Sequence, residues 1–491
     1  MRDENFMLEC FVHEMFLRGK IEVNENQSEN NVQTSVNEIF HRSEQKKRLV
    51  AFYTLGCKVN HYETEGIAKQ FLDIGYTRID FDSETEADVY VINTCSVTNT
   101  GDKKSRQMIR RAIRKNPNAI VCVTGCYAQT APAEVLKIEG VDLVIGTQGR
   151  ENLLHYIAEL EKTRTPINAV SDIMKTKTFE TLEVEHFSDR TRATLKIQEG
   201  CNNFCTFCLI PWARGLLRSR APEDVILQVK RFVSAGYKEV VLTGIHTGAY
   251  GVDFENYRLF DLMKDLDQID GLYRVRISSI EATQVTDEMI QLIQYSGKFA
   301  NHLHMPIQSG SNGVLKRMRR KYTAEEFCQN MMHIVSMLPD IAITTDVIVG
   351  FPGETEEEFM ETYRLIEAYP FSELHVFPYS KRTGTPAATM EQQVDEDVKH
   401  ARVEKLIALS NQKAQLYAEK FLGKMVEVIP ETAFVSTDGT RQVEGHAGNY
   451  LKVVFPGESE LIGKVVQVEI VEAGYPFCKG KRVAYVSHKK G

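Results

Sequence analysis

The sequence predicts an α/β protein in three folded parts: an N-terminal open parallel sheet, a central (β/α) barrel and a small C-terminal β-barrel of OB-like build. Three observations predict it. Short apolar runs alternate with helical stretches from residue 49 to 162 and again from residue 191 on, the pattern of parallel sheets with helices on both faces. After a helix near 396–422 the period shortens to strand length, with Gly and Pro between the runs. A chain of 491 residues has room for three cores, at roughly 100–200 residues per domain.

Composition narrows the class. Lys+Arg total 59 against Asp+Glu 67, a net charge of −8, and 43% of residues are hydrophobic, which is ordinary globular usage. That excludes wholesale disorder, collagen-like repeats and a disulfide mini-scaffold. No stretch approaches the roughly 18 apolar residues of a membrane helix, so no membrane partner is expected. The first residues are acidic and carry no apolar segment followed by a small-residue cleavage site. No secretory signal is read there, and the cytoplasm is the expected compartment.

Residues 1–46 hold nine acidic and five basic groups around the polar stretch NENQSENNVQTSV, and read as a mobile acidic extension. Residues 47–162 form the first β-α series, with VAFYTLGC, ADVYVINTC, AIVCVTGC and VDLVIGT as strands, each followed by a helical stretch. Residues 163–186 show no clear period and read as a linker. Residues 187–417 carry the second series, with strands TLKIQEG, EVVLTGIH, YRVRISSIE, HLHMPIQSG, ITTDVIVGF and LHVFPYS. Six such units suit a partial or complete barrel, whose chemistry gathers where strands end and βα loops begin. Residues 418–487 hold MVEVIPET, GNYLKVVFP, GKVVQVEIVEAG and RVAYVSH, the strands of the small barrel.

Ten cysteines need a reason, and in a reducing compartment clustered cysteines are metal ligands more often than disulfides. Cys201, Cys205 and Cys208 form a CxxxCxxC string directly after the first barrel strand. Three thiolates at this spacing wrap one cuboidal iron–sulfur cluster and leave its fourth iron open to bind a reactant. A structural zinc wants four ligands, so that alternative needs a distant His or Cys. Cys57, Cys95 and Cys126 each close a strand of the first sheet and precede a helix. Carboxyl ends of strands in an open α/β sheet lie along one edge, where these three can converge. Cys122, inside the strand AIVCVTGC, reads as a core residue.

The CxxxCxxC string after a first barrel strand resembles the radical S-adenosylmethionine (SAM) superfamily. The strings TLGCKVNHYETE, NTCSVT, TGCYAQ, EGCNNFCTFC, PWARGLLRSR, PIQSGS and GFPGET resemble the methylthiotransferases within it, over residues 48–486. The resemblance implies that Cys201, Cys205 and Cys208 are catalytic and bind a [4Fe–4S] cluster whose open iron chelates SAM. It implies a second [4Fe–4S] cluster on Cys57, Cys95 and Cys126, which carries the sulfur to be inserted, and a C-terminal barrel of the RNA-binding TRAM type. By family position Phe207 lies near the adenine of SAM, and Gly244, Glu281, Gln308 and Asp346 are further SAM contacts. Two departures stand out. Thr243-Gly244-Ile245 replaces the usual Gly-Gly-Glu, and Asp346 occupies the first Gly of the GxIxGxxE pattern, with Glu354 one residue late.

Basic clusters point to a polyanion despite the net acidity. Lys103, Lys104, Arg106, Arg110, Arg111, Arg114 and Lys115 have no acid among them and read as an RNA-contacting helix. Residues 316–321 carry five more basic groups and the last 13 residues another five. Arg214, Arg218 and Arg220, just past the cluster loop, are expected to meet substrate or the SAM carboxylate. Within the family, Leu55-Gly56-Cys57-Lys58-Val59-Asn60 is most similar to the branch acting on N6-threonylcarbamoyladenosine at position 37 of tRNA. The isopentenyladenosine branch reads Gly-Cys-Gln-Met-Asn there, and the branch acting on a ribosomal-protein aspartate reads Gly-Cys-Pro-Lys-Asn. The expected reaction is methylthiolation at carbon 2 of that nucleoside in the anticodon stem-loop. It would use two SAM equivalents, two [4Fe–4S] clusters, a reducing electron donor and a sulfur donor. The alternative from another class is an iron–sulfur RNA-binding regulator without catalysis.

Overall fold

The computed structural model describes residues 47–187 and 191–483; the acidic extension 1–46 and the end of the basic C-terminal run, Lys489 and Lys490, lie outside them. The first sheet has six parallel strands: β1 (Leu49–Thr54), β2 (Thr77–Ile79), β3 (Val89–Thr94), β4 (Ile120–Gly125), β5 (Leu143–Val144) and β6 (Ile167–Asn168). Their order is β2-β1-β3-β4-β5-β6. Every residue of β3 and β4 is buried, as befits central strands covered on both faces. The edge strands β2 and β6 add to the four read from the sequence; at three and two residues they are too short to show a period.

The segment 163–186 is therefore not a free linker. It supplies β6 and then crosses the helix Lys58–Asp73, where the Tyr62 hydroxyl donates to the Leu182 carbonyl at 2.7 Å. Gly66 allows that crossing, since a Cβ there would lie 2.6 Å from the Leu182 Cβ. The strap buries Glu180, Leu182 and Val184. One of those three is charged, so no apolar period shows in the sequence.

The second series begins with β7 (Arg192–Lys196). A short antiparallel pair, β8 (Gln198–Glu199) and β9 (Arg218–Ser219), then clamps the base of the loop carrying Cys201, Cys205 and Cys208. The parallel strands continue with β10 (Glu239–Thr243), β11 (Arg274–Ile277), β12 (His302–His304), β13 (Ala342–Val349) and β14 (Glu373–Pro378). Ladders run β7-β10-β11 and β12-β13-β14, and a bridge between Ser279 and His304 joins the two sets. Among the described residues no ladder joins β14 back to β7, so the barrel is partial.

The first sheet's layer covers that opening. Helix Lys58–Asp73 packs on β7, and Arg382, just past β14, donates to Ser96 (2.8 Å), Asn99 (2.6 Å) and Asp102 (2.6 Å). Between the two layers lies a buried ionic cluster of three cations, Arg150, Lys196 and Arg214, and three carboxylates, Glu63, Glu180 and Glu199. Glu63 accepts from Arg214 (2.5 Å), Arg150 (3.0 Å) and Lys196 (3.0 Å). Burial alone pushes its carboxyl up, but the three cations outweigh it and hold Glu63 well below the usual carboxylate range.

After the helix Glu396–Glu419 comes a closed five-stranded barrel of β15 (Met425–Val435), β16 (Arg441–Ala447), β17 (Lys452–Pro456), β18 (Val466–Glu472) and β19 (Cys478–Arg482). β16 is a fifth strand beyond the four expected, and β19 precedes the expected RVAYVSH, most of which lies outside the described residues. The inward positions of these two strands are Val443, Gly445 and Ala447, and Cys478 and Gly480. Such small residues leave only a faint alternation. This barrel docks on the amino ends of the parallel strands. Arg276 donates to the Ala447 and Gly448 carbonyls at 3.1 Å each, and Arg274 to the Glu427 carbonyl at 3.0 Å. The Tyr450 ring stacks on buried His302, with centroids 4.6 Å apart. No described helix is long and apolar enough to cross a membrane.

Replacing Glu63 by Ala leaves three buried cations facing two carboxylates. Removing one partner of a buried ionic cluster costs about 3–5 kcal/mol. The expected outcome is a lower urea midpoint by circular dichroism; an unchanged midpoint would mean that the cluster does not stabilise the fold.

Candidate active site

Two glycines let the first three cysteines approach. Cys57 precedes the helix Lys58–Asp73, Cys95 follows β3, and Cys126 opens the helix Cys126–Thr130 directly after β4. Gly56 (φ +103°) passes so near Cys95 that a Cβ on it would lie 2.9 Å from the Cys95 Cβ. At Gly125 (φ +93°) a Cβ would lie 2.4 Å from the Thr94 carbonyl oxygen. Only glycine meets both demands without strain. Asn60 ties the loops together, donating to the Leu55 carbonyl at 2.8 Å and the Thr94 carbonyl at 3.0 Å. The thiols sit within electrostatic reach of one another. Burial pushes the Cys126 thiol up to about 12; Arg214 opposes this, and Cys95 and Cys57 reinforce it. The Arg214 Nε lies 3.3 Å from the Cys126 Sγ.

The second set occupies the loop between β8 and β9. Cys201, Cys205 and Cys208 line one cavity of about 290 Å³ together with Phe207, Glu281, Gln308, Arg320 and Asp346. Arg320 Nη1 faces the Cys205 Sγ at 3.4 Å, and the Ile210 N–H donates to the Cys208 Sγ at 3.4 Å. Burial pushes Cys208 up to about 12 and raises Cys201. Opposite charges share this wall: Glu281 accepts from Arg320 at 2.8 Å and from Asn203 at 3.1 Å. Asp346 is bracketed by His304 and His375, each at 3.2 Å. Burial favours its neutral form, but the bonds to the two histidines outweigh that and hold its carboxyl well below the usual range. Gln308 adopts φ +67°, and its N–H donates to the Asp346 carbonyl at 2.9 Å. Gly244 does not line the cavity; Ile245 and His246 do, while Gly244 backs onto Gln198.

A second cavity, also of about 290 Å³, adjoins the first. Phe207, Cys208, Gln308 and Asp346 line both. Its other wall holds Cys126 and the residues just after Cys95, Ser96 to Thr98, with Phe377 and Tyr379 from the end of β14. One cysteine of each set, Cys126 and Cys208, thus lines the same cavity.

The donor sets fit iron–sulfur clusters better than single ions. Among the described residues, the one group whose His, Cys, Asp or Glu ligand atoms all lie within 4.8 Å of one another is His304, Asp346 and His375. Neither cysteine set is drawn in that far, whereas zinc bound at about 2.3 Å would require it. Cys122 is fully buried in β4 and takes no part.

Several arginines lie elsewhere than the sequence suggests. Arg214 is sealed in the ionic cluster, Arg218 donates to the Leu216 and Arg214 carbonyls, and Arg220 donates to Tyr62. None of the three lines either cavity, because the chain turns inward at β9. Within the basic helix Asn99–Lys115, Arg106 bonds Tyr127 (3.0 Å), Arg111 pairs with Asp82 (2.6 Å) and Lys115 donates to the Ser83 carbonyl (2.7 Å). Lys103, Lys104, Arg110 and Arg114 face solvent. In the run 316–321, Arg317 pairs with Glu358 at 2.6 Å and Arg320 turns into the first cavity. Sequence reasoning missed Glu63, Arg150, Lys196, Glu199, His304 and His375. Their one signal was proximity to the cysteine strings or strand ends.

Residues 195–366 match the family described as the Radical SAM superfamily, and residues 49–146 the one described as Uncharacterized protein family UPF0004. The chain is 62% identical over 438 residues to threonylcarbamoyladenosine tRNA methylthiotransferase MtaB of Bacillus subtilis, covering 89% of this chain and 97% of that one. It is 41% identical to the protein of the same name from Aquifex aeolicus, covering 86% and 100%. A tRNA-2-methylthio-N(6)-dimethylallyladenosine synthase of Clostridium botulinum is 35% identical, covering 86% and 94%. Among solved structures, the radical SAM methyltransferase TsrM from Kitasatospora setae shares the fold, with a TM-score of 0.53 at 14% identity over 70% of this chain and 77% of that one. With an identity of 62% over nearly the full length of one such relative, the chain belongs to the radical SAM tRNA methylthiotransferases.

Proposed function

We propose that this chain replaces the hydrogen at carbon 2 of N6-threonylcarbamoyladenosine, at position 37 of tRNA, with a methylthio group, consuming two SAM equivalents. The observation that carries this reading is one cavity lined by both Cys126 and Cys208. Cys201, Cys205 and Cys208 would hold one [4Fe–4S] cluster, and Cys57, Cys95 and Cys126 the second. When bound, the first cluster and SAM supply a 5′-deoxyadenosyl radical, which suits an unactivated C–H that no positioned base removes, and the second cluster carries the sulfur to be inserted.

The residues around that space fit the task. Glu281 and Arg320 offer a carboxylate and a guanidinium to the amino and carboxylate groups of SAM, in place of the missing Gly-Gly-Glu. Phe207 presents a ring to the adenine side, while Gln308 and Asp346 stand between the two cavities. Asp346, kept ionised by His304 and His375, accepts hydrogen bonds from hydroxyl or amino groups. Phe377, Tyr379 and Val97 give the second cavity apolar walls suited to a purine. The threonylcarbamoyl branch is supported by Gly56-Cys57-Lys58-Val59-Asn60 and by the relatives, 62% identical for a threonylcarbamoyladenosine enzyme against 35% for a dimethylallyladenosine one. Lys103, Lys104, Arg110 and Arg114 offer phosphate contacts; the groove of about 450 Å³ beside them is of mixed charge, lined by Arg106, Arg110, Arg114 and Lys137 together with Glu134 and Glu139. The five-stranded C-terminal barrel is read as a TRAM module for the same anticodon stem-loop. A reducing electron donor and a sulfur donor complete the partners, in the cytoplasm.

Mass spectrometry of tRNA nucleosides from a deletion strain is expected to show loss of the methylthio-threonylcarbamoyl nucleoside; unchanged levels would remove the assignment. The Cys201/Cys205/Cys208→Ala variant is expected to keep about four of about eight irons per chain. Fewer than one would mean that the dispersed cysteines hold no cluster of their own. Since thiols near 12 must lose protons to ligate metal, reconstitution of cluster-free protein is expected to speed up from about pH 7 to about pH 9. A rate that falls over that interval would mean that another step controls loading.

A further inference from the structure

We propose that Trp212, with Phe204 at its side, is a stacking platform for a nucleobase that neighbours the modified one; this rests on the tRNA reading above. Trp212 is the single tryptophan of the chain, and it is 47% exposed. It stands on the helix Ile210–Arg214, whose Ile210 and Ala213 line the second cavity. The helix has no freedom to turn the indole inward. Pro211 and Arg214 are buried, and Arg214 is fixed by Glu63, Glu199 and Asn60. The Phe204 ring meets the indole at 5.1 Å between centroids and 76° between planes. Phe204 holds that place at φ +48°, a left-handed conformation uncommon for a bulky residue, inside the cysteine loop itself. Strain of this kind persists where surrounding structure imposes it, and it gathers at functional sites.

An indole half in water, flanked in the chain by cavity-lining Ile210 and Ala213 though not itself lining that cavity, gains little from its own fold. A polynucleotide supplies what it lacks. A base entering the second cavity must leave its stack, and its neighbours then lose a stacking partner just outside. An exposed aromatic ring on the helix that lines the cavity replaces that partner whatever the neighbouring base, because every base has a π-face. Val97, 56% exposed, and Phe377, 45% exposed, line that cavity and add exposed apolar surface to it.

The test is a double-mutant cycle on cluster-loaded protein, with binding of a labelled anticodon stem-loop read by fluorescence anisotropy. One arm is Trp212→Ala, and the other is RNA with an abasic nucleotide on either side of the target. Stacking predicts a loss of about 5- to 150-fold for Trp212→Ala on intact RNA, and a similar loss for wild type on one of the two abasic RNAs. Both changes together should be no worse than either alone, and Trp212→Phe should restore most of the affinity. Losses that simply multiply, or a Trp212→Ala protein that binds intact RNA as wild type does, would overturn the proposal. Failure of the wild-type protein to bind the intact stem-loop would instead sink the tRNA reading itself.

Discussion

One guanidinium ties the molecule together. Arg214 is fully buried, yet it reaches Glu63 and Asn60 on the helix behind Cys57, Glu199 on the strand before the second cysteine set, and the Cys126 sulfur. Removing such a group from water costs several kcal/mol, and only a full set of partners offsets it. The partners come from both layers, so the charge is satisfied only when the sheet and the barrel are docked in one register. That register is also what brings Cys126 and Cys208 to one cavity. Burial disfavours the charged form, but the Cys126 sulfur, Glu63 and Glu199 outweigh it and keep Arg214 firmly protonated.

The same device recurs on the other side. Arg320 faces the Cys205 sulfur as Arg214 faces that of Cys126. Hydrogen bonds to cluster sulfurs and nearby charge are among the protein's levers on cluster potential. Each proposed cluster therefore has one positive group directed at one of its ligands, anchored in turn by a glutamate: Glu63 for Arg214 and Glu281 for Arg320.

The barrel is closed from below by a different logic. Arg192, Glu239, Arg274, Arg276 and His302 would leave a polar lumen open to water at the amino ends of the strands. The C-terminal barrel covers them, with Tyr450 laid over His302 and Arg276. Glu239, buried between Arg276 and Arg274, is held down to about 2 against a burial that pushes it up. Hydrogen bonds from Arg274 and Arg276, the Tyr450 stack and the packing of Ala342 into the apolar cluster of the C-terminal barrel together hold that barrel on the parallel strands.

The sequence by itself determined the class of fold and the cysteine spacing from which a ligand set is proposed. Period-2 and period-3.6 patterns are local, so six barrel strands and four sheet strands were readable, and a cysteine string keeps its spacing whatever surrounds it. It did not reveal strands whose inward residues are small, as in β16 and β19, or a strap whose buried positions include a glutamate. Only the tertiary structure decided the partners of charge. Arg214, Arg218 and Arg220 looked like substrate contacts because an arginine near a site reads as one. Whether such a charge is spent inside the protein depends on partners elsewhere in the chain, for Arg214 a carboxylate 151 residues away, brought close by the docking of two layers. Chain separation hides such pairs, because electrostatic partners are chosen by distance in space.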